Sequence, residues 1–216
     1  MSIASVGEER HDVAPPESER HLRADAQRNR ERILEATGTL LATRGVGVSV
    51  DEIAQLAQVG VGTVYRNFPT KGALLEGLLA ARIEPLVVAA RAAAGSDDPG
   101  DAFISFVRRL SDEFVSFKAL ADAMCEPEAG IDINAAKGRI LGDLINAVGE
   151  LFDEAQRAGR IRPDVTIADV AAMMGGLGHA DPTFMDQAQR SRCVALVCDS
   201  LLVDARSVLP VRPDEV

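Results

Sequence analysis

No charge-free apolar run in these 216 residues approaches the ~20 needed to cross a membrane. The first residues are acidic and lack an apolar segment, so they do not read as a secretion signal. Cysteine is scarce: Cys125, Cys193 and Cys198 form an odd set without metal-type spacing, which points to a reducing cytoplasm. Cys193 and Cys198 lie five apart on an expected helix, do not face each other well, and read as small core or interface residues. Histidine stands only at positions 11, 21 and 179. His179 with Asp181 offers too few ligands for a structural zinc site. No serine or cysteine has a base at suggestive spacing, and no phosphate-cradling glycine loop is present. Catalytic residues, a metal site and a cofactor are therefore not expected, and the chain does not read as an enzyme. Alternating apolar and polar runs are rare, internal repeats are absent, and Ala and Leu are abundant, which predicts an all-α fold.

Positive charge is also short overall, and its distribution matters more than its total. The net charge is −10, an odd balance for a chain that meets a polyanion. Residues 1–19 carry net −4 and residues 95–216 net −9, whereas residues 20–94 hold ten Lys/Arg against seven Asp/Glu. Arg20, Arg23, Arg28, Arg30 and Arg32 crowd the front of that basic segment. A local basic patch on an acidic body suits specific docking to nucleic acid with weak non-specific adhesion. For any single arginine of the run, a solvated helix face is the simpler reading.

What the chain does have is concentrated in Ser49–Lys71, SVDEIAQLAQVGVGTVYRNFPTK. Ser49 followed by Glu52 is a capping box that starts a short helix. Ile53, Leu56 and Ala57 then share one apolar face, and the turn falls at Gln58-Val59-Gly60. The second helix runs from Val61 to Phe68, with Val64 and Phe68 inward and Gly62, Thr63 and Arg66 on the opposite side. Pro69 stops it, and Thr70 caps the next helix with Lys71 in its first turn. A cation there opposes the helix dipole by a few tenths of a kcal/mol. A phosphate docked at the same helix end reverses that sign. Two short helices arranged in this way can offer one of them to the DNA major groove.

The segment from about Arg28 to Leu79 resembles the N-terminal domain of the TetR family of bacterial transcriptional regulators. The resemblance lies in Arg32-Ile33-Leu34-Glu35-Ala36, Leu40-Leu41-Ala42-Thr43-Arg44-Gly45 and Ser49-Val50-Asp51-Glu52-Ile53-Ala54. It continues in Gly62-Thr63-Val64-Tyr65-Arg66-Asn67-Phe68-Pro69-Thr70-Lys71 and Ala73-Leu74-Leu75, about a quarter of the chain in order and spacing. It implies a three-helix DNA-binding head and a helical body for ligand binding and dimerisation, about nine helices in all. Val61, Gly62, Thr63 and Tyr65 then correspond to positions facing bases and adjoining phosphates. Ser49, Val50, Asn67 and Lys71 correspond to backbone contacts, joined by Arg66, Thr70 and, on the first helix, Arg28. Three departures leave the base preference unreadable: Gln58 replaces the turn glycine, Gly60-Val61 replaces a Ser-Lys pair, and Asn67 stands where histidine is common. A left-handed turn is less comfortable at Gln58 than at glycine.

The expected organisation is a disordered tail over 1–22, a head over 23–70 and a body over 71–210. The first helix is expected from about Asp25 to Thr43, and Pro85 is expected to kink the long helix from Thr70 or shift its register. Further helices are expected near 101–117, 119–125, 134–158, 166–179 and 187–205. Phe103, Phe106, Leu110, Phe114 and Phe117 share one broad face, and Met124, Phe152 and Met173 add adaptable apolar surface. Each is ordinary core on the simpler reading; together they are candidates to line an effector pocket. Nearby Asp112 and Asp122 favour a neutral or cationic apolar ligand. The segment Glu126–Asp132 is either a lid or a connection. By resemblance the last two helices pair across a two-fold axis, here through Val170, Met174, Leu177, Val194, Leu196, Val197 and Leu201. The expected partners are thus an operator duplex, a second copy of the chain and a small apolar effector, in the cytoplasm and away from membranes. The leading function is a dimeric repressor released by its effector. The alternatives are an activator or ligand-independent regulator, or a helical enzyme or carrier with a vestigial head.

Overall fold

The computed structural model describes residues 17–180 and 185–204, apart from the side chains at 17–20, 22, 23, 114–116, 128, 133, 134, 137 and 179. The described residues form nine α-helices and one 3₁₀ turn, with no strand beyond an isolated bridge between Ile161 and Leu202. The head consists of α1 (Glu17–Arg44), α2 (Val50–Leu56) and α3 (Val61–Asn67). A long α4 (Lys71–Ala93) leads into α5 (Pro99–Asp112), α6 (Phe114–Cys125) and a 3₁₀ turn at Pro127–Ala129. The body closes with α7 (Ile133–Arg157), α8 (Ile167–His179) and α9 (Gln187–Leu201).

Most boundaries follow from local chemistry. Gly45 ends α1 in the left-handed conformation at φ +75, the usual helix stop. Ser49, Thr166 and Asp186 each open a helix with a reciprocal capping box, and Asp98 caps α5 ahead of Pro99 at its first position. Two expected boundaries moved. α1 begins at Glu17, so residues 17–22, expected in the tail, are helical. The helix expected over 101–117 breaks at Glu113, whose amide bonds back to Leu110 O at 3.2 Å. That tighter bond closes α5 and lets α6 leave in a new direction. α4 runs unbroken through Pro85.

α4 is the spine. Its Leu74, Leu75, Leu78, Leu79, Ile83 and Leu86 are buried among α1, α5, α6 and α7. One apolar cluster therefore runs from Ile33, Ile53, Val64 and Phe68 in the head to Leu151 and Leu201 in the body. Phe103 and Phe152 meet edge to face within it, with centroids 5.3 Å apart, a favoured aromatic geometry. Of the residues expected on a dimer face, Val170, Met174, Val194 and Leu201 are buried inside the chain. They pack toward the rest of the body because α9 lies against α5 and α8 against α6. Leu177 and Val197 are half-buried, and Leu196 stands 68% exposed.

Candidate nucleic-acid interface and body cavity

The second short helix is presented by a frame of side-chain to backbone bonds. The Ser49 amide and hydroxyl donate to Glu52 Oε2 at 3.0 and 2.9 Å, and the Glu52 amide donates to Ser49 Oγ at 3.3 Å. The Ser49 backbone bond, then its hydroxyl, hold the Glu52 carboxyl below its ordinary range, and Arg44 adds its charge. Gln58 adopts φ +54 in the turn, and Arg32 Nη2 donates to its carbonyl at 3.2 Å. Arg30 lies over the Phe68 ring, 4.4 Å from the centroid, a cation–π contact that pins the end of α3. These two arginines of the basic run hold the reading unit together. Sequence reading grouped them with the charged edge because their spacing does not reveal what they reach across α1. Arg28 pairs with Asp25 on the exposed side of the same helix.

The outer side of α3 carries Gly62, Tyr65 (50% exposed) and Arg66, with Val61 and Thr63 half-buried beside them. Arg66 folds back on its own helix, donating from Nε to Gly62 O at 3.2 Å and from Nη2 to Thr63 Oγ1 at 2.9 Å. Asn67 Nδ2 donates to Thr63 O at 2.8 Å. Beyond Pro69, Thr70 Oγ1 accepts from the Ala73 amide at 3.0 Å and so opens α4. Lys71 Nζ donates to Val46 O at 3.3 Å, which fixes the ammonium between α4 and the loop before α2. An ammonium has three protons, so this bond still leaves donors for a phosphate at the α4 end. Ser49 is exposed and Val50 half-buried on the same side. The predicted DNA-facing residues of α2, α3 and the α4 start are thus exposed or half-buried, and Lys71 ties the α4 start to the loop before α2, while Arg28 lies on α1.

The body holds a cavity of about 360 Å³ bounded by α4, α5, α6, α7 and α8. Its walls include Leu79, Ile83, Leu110, Phe117, Leu120, Met124, Leu141 and Leu144, with Lys118 and Cys125 as polar exceptions. Leu110, Phe117 and Met124 were expected there. Phe103, Phe106 and Phe152 are instead core, because α5 turns that side toward α7 and α9, and Met173 packs on the cluster away from the walls. The Phe114 and His179 side chains, and Asp181, lie outside the described residues. Leu79, Ile83, Leu141 and Leu144 were missed because an apolar residue on a cavity wall has the same periodicity as one in solid core. A larger cleft of about 610 Å³ lies between α1, α4 and α5, but Glu31, Glu35, Arg82, Arg109 and Glu113 line it. The smaller, apolar cavity has the character of a ligand site.

Two short helices with an exposed second helix and a capped helix end beside it define a helix-turn-helix DNA-binding unit. The family model for bacterial regulatory proteins of the tetR family matches residues 33–78, and that for the C-terminal domain of SbtR-like transcriptional regulators matches residues 98–203. The chain is 30% identical over 169 residues to the HTH-type transcriptional repressor KstR of Mycolicibacterium smegmatis, covering 73% of this chain and 82% of that protein. A TetR transcription regulatory protein from Mycobacterium vanbaalenii is 36% identical with TM-score 0.66, over 84% of this chain and 99% of that one. The TetR transcriptional regulator SCO0520 from Streptomyces coelicolor is 29% identical with the same TM-score, over 82% and 99%. The chain belongs to the TetR family of DNA-binding transcriptional regulators.

Proposed function

We propose that the chain is a homodimeric repressor that binds a palindromic operator and is released by a small apolar effector in the body cavity. The observation that carries this reading is the exposure of Gly62, Tyr65 and Arg66 on α3, next in the chain to the capped, Lys71-bearing start of α4. On this surface Val61, Gly62, Thr63 and Tyr65 read base edges. Ser49, Val50, Arg66, Asn67, Thr70 and Lys71 hold phosphates, and Arg28 reaches flanking backbone. The repressing sign is supported by the likeness to a relative named as a repressor. The division of labour is a tail before residue 17, a head to residue 70 and a body from 71 to 210. Its operator puts the protein in the cytoplasm.

One short recognition helix buries too little surface for tight specific binding, and a two-fold axis sets two of them 34–36 Å apart on half-sites. The outer faces of α8 and α9 suit that axis. Leu196 is exposed there, and a Cβ added at Gly176 would meet nothing within 4 Å of its own chain, so a second helix can come close. This face replaces the buried Val170, Met174, Val194 and Leu201. The signal passes through α4, because Leu79 and Ile83 line the cavity while Lys71 heads the same helix. An occupant that favours the splayed geometry by a few kcal/mol shifts the population off the operator.

Selection of bound duplexes from random DNA tests the reading. A palindromic winner bound by a dimer with a steep salt slope is expected. Tyr65→Ala and Lys71→Ala should lose that binding with intact folding. Absence of any enriched duplex, or full binding by both variants, defeats it.

A further inference from the structure

The cavity walls set the chemistry of what fills them, on the reading that the cavity is the effector site. Among its described lining residues every side chain is apolar except Lys118 and Cys125, and Lys118 alone bears a charge. Its ammonium is held by Asp122 Oδ2 at 2.9 Å, one turn along α6. Asp122 does not line the cavity, and its side chain is 55% exposed against 37% for Lys118. An ion pair that water reaches on both sides is weak. A ligand entering the cavity strips water from the Lys118 side, and a desolvated ammonium requires a counter-charge close by.

We infer that the effector is an apolar monoanion whose carboxylate takes the Lys118 ammonium from Asp122. This reverses the sign expected from the acidic residues in the sequence, because Lys118 is a wall residue whose ammonium a ligand's end group can reach, while Asp122 lies off the wall and 55% exposed. The remaining walls, Leu79, Phe117, Met124 and Leu144 among them, fit an alkyl or alicyclic body. A volume of about 360 Å³ lies near the small end of ligand cavities, which suits one compact apolar body with a single charged end. An ammonium-ended ligand is repelled by Lys118. An uncharged one adds no counter-charge and leaves the ammonium with only the water-exposed Asp122.

The test uses the full chain and three probes of one length: decanoate, 1-decanol and decylamine. Each displaces the uncharged fluorophore Nile red, read by fluorescence. Decanoate should bind about tenfold more tightly than decylamine, a difference of about 1.4 kcal/mol. Lys118→Met, which keeps an apolar stem of similar reach, should erase that preference. Asp122→Asn, which removes the competing carboxylate, should tighten decanoate severalfold and keeps the idea testable if Lys118→Met folds poorly. Equal binding of all three probes, tighter decylamine, or a carboxylate preference that survives Lys118→Met each overturns the assignment and leaves the cavity reading standing. If neither Nile red nor any probe binds, the cavity reading itself falls, and the assignment with it.

Discussion

In the head, polar side chains lock the backbone at named points, whereas in the body apolar side chains surround open space. Ser49 and Glu52 close the start of α2, Arg32 holds the Gln58 carbonyl, Thr70 caps α4 and Lys71 ties it to Val46. The body instead sets Leu, Phe and Met around about 360 Å³ of cavity. Directional bonds fix a reading surface to a tolerance that DNA requires. Non-directional contacts let a cavity wall shift around an occupant. A regulator needs both, joined by an element that belongs to each, and α4 is that element.

The sharpest way to break this contrast is to remove one ring from each region. Phe68 is 3% exposed and pinned beneath Arg30, so Phe68→Ala leaves a hole that the bonded frame cannot close. The expected cost is about 3–5 kcal/mol, with loss of operator binding and fast amide exchange in α2 and α3. Phe117 is half-buried and already borders empty space, so Phe117→Ala should cost less than about 2 kcal/mol. Equal losses in thermal melts would mean that the two regions do not differ in packing.

A second contrast sets two glycines against each other. A Cβ at Gly72 would lie 2.5 Å from Ala129 O and 2.9 Å from Ile131 Cγ1, so the segment after α6 sits directly on the first turn of α4. That segment, Glu126–Asp132, left open in sequence between a lid and a connection, thus reaches from the cavity wall at Met124 to the neighbour of Lys71. Gly72→Ala must push backbone aside, at about 1–3 kcal/mol, and should weaken operator binding by moving the α4 start. A Cβ at Gly62 meets nothing within 4 Å. Gly62→Ala should therefore stabilise α3 by up to about 1 kcal/mol yet weaken operator binding, because on the proposed reading Gly62 faces a base edge that the methyl would crowd. If Gly72→Ala melts and binds like wild type, the contact between the α4 start and the segment after α6 is slack.

A smaller effect should come from the turn. Gln58 at φ +54 is strained for a side chain, and Arg32 bonds its backbone carbonyl rather than its amide group. Gln58→Gly keeps that bond and relieves the strain, offset by glycine's larger unfolded-state entropy. A net gain of about 0.5–1 kcal/mol is expected, with Gln58→Val losing stability as the control. A lower melting temperature for the glycine variant would rule out strain at the turn.

These differences explain how much was legible in the sequence. Caps, stops and turns are decided by neighbours within four residues, so Ser49, Gln58, Pro69 and Thr70 were read in place. The outward side of α3, with Gly62 and Arg66 exposed opposite the buried Val64 and Phe68, followed from the same local rules. Arg30 on Phe68 and Arg32 on Gln58 were not legible, because each contact crosses between elements. In the body, periodicity identified the apolar residues but not what their faces meet. Phe103 and Phe152 went to solid core, Leu79 and Leu144 to the cavity, and Val194 inward rather than to a partner. The direction in which each helix leaves its turn decides that, and the break at Glu113 is set by one tightened bond.

The smallest effect separates charge from hydrogen bonding within the head frame. The Glu52 carboxyl is held below its ordinary range first by the Ser49 backbone amide, then by the Ser49 hydroxyl and by Arg44. A carboxyl lowered by folding adds stability that is complete above its unfolded value and is lost as pH falls through the lower folded value. The head should therefore loosen on the acid side of the ordinary carboxylate range and stay level above it. Glu52→Gln retains an acceptor suited to the capping box but gives up the charge that Arg44 meets. Its melting temperature should sit slightly below wild type at neutral pH and converge with it as wild type protonates. The body, whose cavity walls carry no carboxylate among the described residues, should show no such convergence when Phe117→Ala is followed over the same range. A wild-type minus Glu52→Gln difference that stays constant from neutral to acid pH would assign the capping box to hydrogen bonding alone and leave Arg44 without a part in it.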